Sequence, residues 1–220
     1  MKSFDSELAQ IIDHTILKPE TSWLQVEKIC DEAEKYGFAS ICIPPFFVEP
    51  ALLKFADSWV KIATVIGFPH GYQTFVAKFF ETTDAVNNGV DEIDFVVNIA
   101  AIKSGNWEDV DLEIAQVSSF LKAKQVILKV IIEYGLLTKE EVEKVCEICA
   151  KHDVDYVKTS TGFNAGGANV EMVKHLRSIL PEHIQIKASG GIKTREDAHK
   201  LIDAGADRLG CSGSLEIIKL

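Results

Sequence analysis

Eight times along its length this chain passes from a short run of apolar, β-branched residues into an amphipathic helical pattern, and few folds accommodate such an alternation. The strand-like runs are residues 14–17, 39–43, 61–66, 92–97, 126–132, 155–159, 185–188 and 208–210. The helical patterns cover 22–36, 48–56, 75–88, 107–123, 138–151, 169–180 and 194–203, with a short one after Gly213. Ser22, Thr138 and Thr194 stand where N-caps belong, and Glu141 follows Thr138 at capping-box spacing. Gly37, Gly89 and Gly205 follow helical runs where a left-handed residue is wanted. Eight strand–helix units close most naturally into a parallel TIM (β/α)8 barrel, although an open doubly wound sheet has similar local patterns. With 220 residues and no Pro/Ser-rich linker, one domain spanning residues 1–220 is expected.

Three of the runs contain a lysine: Lys129 within 125–133, Lys158 within 156–160 and Lys187 within 185–189. Lysine is seldom buried unless it is paired or used. At a reference pKa of about 10.4, activating one near neutrality means removing roughly 4 to 5 kcal/mol of preference for the charged form. A second ammonium about 5 Å away contributes roughly 3 kcal/mol at an effective dielectric near 20, and desolvation in an apolar strand adds to it. An amine so depressed attacks a carbonyl to form a Schiff base, which permits carbon–carbon bond cleavage, so aldol chemistry is the candidate. Side chains alternate along a strand, which puts Asp94, Lys129, Lys158 and Lys187 on faces that meet if those faces point into a barrel. Each lysine alone is explained by an ion pair with a carboxylate such as Asp94. Together they point to a catalytic role for Lys158 or Lys187, with Lys129 as supporting charge.

Glycine- and serine-rich stretches follow the last three strands: Thr159 to Phe163 with Gly166 and Gly167, then Ser189 to Ile192, then Cys211 to Ser214. Any one of them is explained as a tight strand-to-helix turn; all three in register point to a phosphorylated substrate, because backbone N–H groups can approach an anion there. A formal charge of -10 with no basic cluster argues against nucleic acid as a partner. Residues 1–17 lack the features of a signal sequence, and no stretch has the length of a membrane span, so a cytoplasmic protein is expected. The five cysteines read as reduced thiols, the Cys146–Cys149 pair as core-facing on a helix, and no metal or cofactor is expected. Of the six histidines, only His70, in the loop after the third strand, is placed to face a pocket.

These residues resemble the deoxyribose-phosphate aldolases, class I aldolases of the barrel fold, over nearly the whole chain. Lys-Thr-Ser-Thr-Gly from Lys158 and Lys-Ala-Ser-Gly-Gly-Ile from Lys187, in that order, are the most specific segments. The resemblance implies reversible cleavage of 2-deoxy-D-ribose 5-phosphate to acetaldehyde and D-glyceraldehyde 3-phosphate. It makes Lys158 the Schiff-base lysine, Lys187 the neighbour that lowers its pKa, and Asp94 part of a water-assisted proton relay. It assigns phosphate to Gly162, Gly190, Gly191 and Ser212, with Gly213 beside them, and places Asp13, Cys42 and Lys129 in the pocket wall. A homodimer is also implied. The chain departs from common family patterns at Phe163, Gly213 and Pro44 and over residues 71–76, and it ends at Leu220 without the tyrosine-bearing tail of some relatives. Two other readings compete: a phosphosugar isomerase on the same barrel without a covalent intermediate, and a phosphosugar-binding barrel without turnover.

Overall fold

The computed structural model describes residues 4–55, 58–164 and 166–220. Eight parallel strands close into a barrel in sequence order: β1 (Ile12–Thr15), β2 (Ser40–Ile43), β3 (Lys61–Ile66), β4 (Glu92–Val96), β5 (Ile127–Ile131), β6 (Tyr156–Lys158), β7 (Gln185–Ser189) and β8 (Arg208–Cys211). The first strand pairs with both β2 and β8, which closes the ring and excludes the open-sheet alternative. The helices are α1 (Ser6–Ala9), α2 (Trp23–Tyr36), α3 (Val48–Lys54), α4 (Phe75–Asn87), α5 (Ile99–Lys103), α6 (Trp107–Lys124), α7 (Lys139–Lys151), α8 (Val170–Ile179), α9 (Arg195–Asp203) and α10 (Ser214–Ile218).

Local chemistry sets the helix ends. At α7 the Thr138 hydroxyl accepts from Glu141 N–H at 3.3 Å while the Glu141 carboxylate accepts from Thr138 N–H at 2.8 Å, the reciprocal capping box expected from the sequence. Thr194 and Asp197 do the same for α9. Two elements depart from the sequence reading. The first strand begins two residues earlier, at Ile12, because pairing sets Asp13 between Ser40 and Gly210; a periodicity that starts at His14 misses this. The helix expected over 48–56 ends at Lys54, and Ala56 lies outside the described residues. The short α1 and α5 carry too few residues to generate a periodic signal.

In parallel neighbours, paired residues face the same way, and the register separates two interiors. Ile41, Ile62, Ile93, Phe95, Leu128, Val130, Val157, Ile186 and Leu209 join the large apolar core between strands and helices. The opposite set follows round the ring through direct pairing: Cys42 with Ala63, Ala63 with Glu92, Val65 with Asp94, Asp94 with Lys129, Lys129 with Tyr156, Lys158 with Lys187, Lys187 with Arg208, and Asp13 with Gly210 and Ser40. Inside the barrel, a small apolar cluster of Cys42, Ala63 and Val65 therefore sits beside a wall of charge.

Candidate active site

Asp94, in the middle of β4, is fully buried and is the hub of that wall. Its Oδ2 accepts from Lys158 Nζ at 2.6 Å and from Lys187 Nζ at 2.6 Å, and its Oδ1 accepts from Lys129 Nζ at 2.9 Å. The two amines on Oδ2 thus lie within twice that distance of one another. The four residues that alternation predicted to converge do so. Lys187 also bonds Asp13 Oδ2, whose Oδ1 pairs with Arg208 at 2.7 Å. Lys129 reaches Glu92 Oε2 at 2.6 Å. Gly210 makes room for this arrangement: a Cβ there would come within 3.1 Å of Lys187 Cε and 2.8 Å of Ser189 Cβ.

The lysines do not share one electrostatic fate. Burial lowers the Lys158 amine below its ordinary value; the Asp94 carboxylate opposes that, and Lys187 reinforces it. For Lys187 burial acts in the same sense, but Asp13 and Asp94 outweigh it and hold the amine above its ordinary value. Lys129 is held still higher by Asp94, Glu92 and Asp13 against burial. Asp94, despite its burial, is kept well below the usual carboxylate range by the three lysines. Desolvation leads the depression of Lys158 and the neighbouring ammonium adds to it, the reverse of the order expected from sequence.

A cavity of about 620 Å³ opens at the C-terminal ends of the strands. Lys158 lines it, together with Thr161, Gly162, Phe163, Ser189, Gly190, Gly191, Ile192, Gly210 and Ser212, and with Thr15 to Lys18 at the end of β1. Lys187, Lys129, Asp94, Asp13 and Cys42 are sealed beneath and do not line it. Cys42 sits with its Sγ 3.9 Å from Asp94 Oδ2, and burial pushes its thiol up to about 11. Gly213 lies beside the cavity without lining it and precedes α10. His70 is not in the cavity either: it is exposed and stacks on Tyr72 at 5.1 Å.

The loops after β6 and β7 touch backbone to backbone. Gly190 has φ +84°, and a Cβ on Gly167 would lie 2.1 Å from the Gly190 carbonyl oxygen, so only glycine permits the contact. The β6 loop is held from below by Glu133, a buried residue at φ +50° just past β5. Its carboxylate accepts from Thr161 N–H at 3.2 Å, from the Thr161 hydroxyl and from Asn164 Nδ2 at 2.9 Å. Phe163, which lines the cavity, packs edge-on against Phe68 with ring centroids 5.1 Å apart.

Glu92, Arg208 and Asn164 were not among the residues singled out from sequence, and Glu133 was placed only by alternation, on the face of Lys129. The signal for the first two was available: Glu92 has the parity of Asp94, and Arg208 that of Gly210. Glu133 keeps the parity of Lys129 although it stands past the strand end in a left-handed conformation, while Asn164 acts from a loop, where strand parity carries no information.

The sequence model of the DeoC/LacD family aldolases matches residues 8–216. A deoxyribose-phosphate aldolase of Thermoanaerobacter sp. (strain X514) is 46% identical over 213 residues, 96% of each chain. One from Staphylococcus haemolyticus is 47% identical over 211 residues, covering 96% of this chain and 95% of the relative. Among solved structures, the tetrameric deoxyribose phosphate aldolase of Aeropyrum pernix superposes with a TM-score of 0.90 at 29% identity, over 96% of this chain and 89% of its own.

Proposed function

This chain belongs to the DeoC/LacD family of aldolases, and from that premise we propose that it cleaves 2-deoxy-D-ribose 5-phosphate reversibly to acetaldehyde and D-glyceraldehyde 3-phosphate through an imine on Lys158. One observation carries the choice of residue. Of the three lysines gathered round Asp94, Lys158 alone reaches the cavity, and it alone of the three is held below its ordinary pKa by its surroundings.

The neutral Lys158 amine adds to C1 of the open-chain sugar, and loss of water gives the protonated imine. That cation draws the electron pair of the C2–C3 bond toward nitrogen as the C3 hydroxyl gives up its proton. D-glyceraldehyde 3-phosphate leaves, and an enamine of acetaldehyde remains. Protonation at C2 and hydrolysis then release acetaldehyde and restore the amine. Asp94 and Lys187, hydrogen-bonded at Oδ2, are the groups nearest Lys158 that can pass protons through a water molecule. The phosphate is assigned to the Gly162, Gly190, Gly191 and Ser212 end of the cavity. No acidic side chain lines the cavity among the described residues, and Lys18 is the only charged group besides Lys158 that does.

Borohydride added with acetaldehyde is expected to fix the mass of an ethyl group on Lys158, read by peptide mass spectrometry. A label on Lys187 or Lys129 instead, or no label during turnover, overturns the assignment.

We further propose a cytosolic homodimer. Among the described residues no helix is long and apolar enough to cross a membrane. Val76 and Phe80, four residues apart on α4, are exposed, and Tyr72 in the loop before the helix is exposed as well.

A further inference from the structure

Beneath Lys158 the ion-paired groups form one connected set that extends past the catalytic trio. Lys187 is shared between Asp94 and Asp13; Asp13 is shared between Lys187 and Arg208; Arg208 stands 3.6 Å from Glu92 Oε2, which pairs with Lys129 at 2.6 Å; and Lys129 returns to Asp94 at 2.9 Å. The loop is sealed: Asp13, Glu92, Asp94, Lys129 and Lys187 are 0% exposed and the Arg208 side chain 12%. It holds the cations Lys129, Lys187 and Arg208 and the anions Asp13, Glu92 and Asp94, three of each. Lys158, hydrogen-bonded to Asp94, comes as a fourth cation to a set already balanced.

From this geometry we infer that Glu92 and Arg208, on the far side of the loop from the cavity, are positioning residues that set the protonation of Lys158 by deciding how much of the Asp94 carboxylate is left for it. The chain of effects is direct. Without the Glu92 charge, Lys129 draws more heavily on Asp94 Oδ1, and less negative charge remains to favour a protonated Lys158. Without Arg208, both Asp13 oxygens serve Lys187 and Lys129, Asp94 is released toward Lys158, and Lys158 keeps its proton to higher pH. The other groups facing this set are Cys42 from β2, Tyr156 from β6, whose hydroxyl lies 3.4 Å from Arg208, the half-exposed Lys61 at 3.9 Å from Glu92, and above it Glu133, bound to Thr161 and Asn164, with Lys18 at the rim. From β3, Lys61 shares the face of Ala63 and Val65, and of these three only Lys61 titrates.

The inference rests on the reading of Lys158 as the imine-forming amine, and the test separates the two. The acid limb of kcat/KM against pH is measured for the native chain, Glu92→Gln, Arg208→Met and Arg208→Lys, with borohydride trapping at Lys158 on each and folding checked by circular dichroism. Glu92→Gln is expected to move the limb about one pH unit toward acid and Arg208→Met about one unit toward alkali, with Arg208→Lys close to native. General damage to the barrel lowers rates without moving two limbs in opposite directions. A limb that stays in place in Glu92→Gln, or moves the same way in both variants, overturns the inference; if Arg208→Met does not fold, Glu92→Gln decides alone. Loss of the label at Lys158 in the native chain instead overturns the catalytic reading beneath it.

Discussion

At the scale of single residues, Asp94 does two jobs that a substitution can separate. It neutralises three amines, and in the proposed mechanism it passes a proton. Replacing it with asparagine leaves those amines without their shared anion, which costs about 3–5 kcal/mol of stability. Turnover is expected to fall about a hundredfold or more as proton transfer is lost. The amine itself is expected to survive. With the opposing carboxylate gone, Lys158 is pushed further below its ordinary value, so acetaldehyde and borohydride still mark it while deoxyribose phosphate is no longer cleaved. The sign for the native chain follows from the same balance: Lys158 attacks only when neutral, so activity rises with pH through its depressed pKa, below the ordinary lysine value of 10.5. Asp94→Asn that traps nothing at Lys158 while remaining folded would contradict this division of labour.

At the scale of elements, a second buried pair fixes how α4 and α6 lie against the barrel. Lys78 of α4 and Glu113 of α6 meet at 2.7 Å with side chains 0% and 3% exposed. Lys78 also donates to the Val96 carbonyl at 3.0 Å, and Glu113 accepts from Asn98 N–H at 3.1 Å, so both helices are tied to the end of β4, close above Asp94. Lys78→Met strands a carboxylate and is expected to cost about 3–5 kcal/mol in denaturant unfolding, while Lys78→Met with Glu113→Leu costs markedly less. Equal losses in the single and double variants would mean that packing, not charge, matters there. The strands were legible in the sequence because barrel strands are covered on both faces and read as apolar runs, against which Lys129, Lys158 and Lys187 stand out. Glu92 and Arg208 sit at strand starts, where a charge reads as ordinary surface, so parity alone betrayed them. Alternation put Glu133 on the face of Lys129, but its bonds to Thr161 and Asn164 depend on a left-handed turn and a loop conformation that no periodicity encodes.

At the scale of the whole molecule, Val76 and Phe80 of α4 and Tyr72 in the loop before it are 78%, 73% and 63% exposed, an apolar patch that the proposed dimer would cover. Light scattering is expected to give twice the 24.3 kDa chain mass, and Val76→Glu with Phe80→Glu the mass of one chain; a native chain that runs as a monomer removes the homodimer. The closed ring has another consequence. Asp13 belongs to β1, yet its partners Lys187 and Arg208 belong to β7 and β8, so the charged set is completed across the seam where the ring shuts. The surroundings of Lys158, which shares Asp94 with Lys187, thus depend on the first and last strands of the barrel meeting.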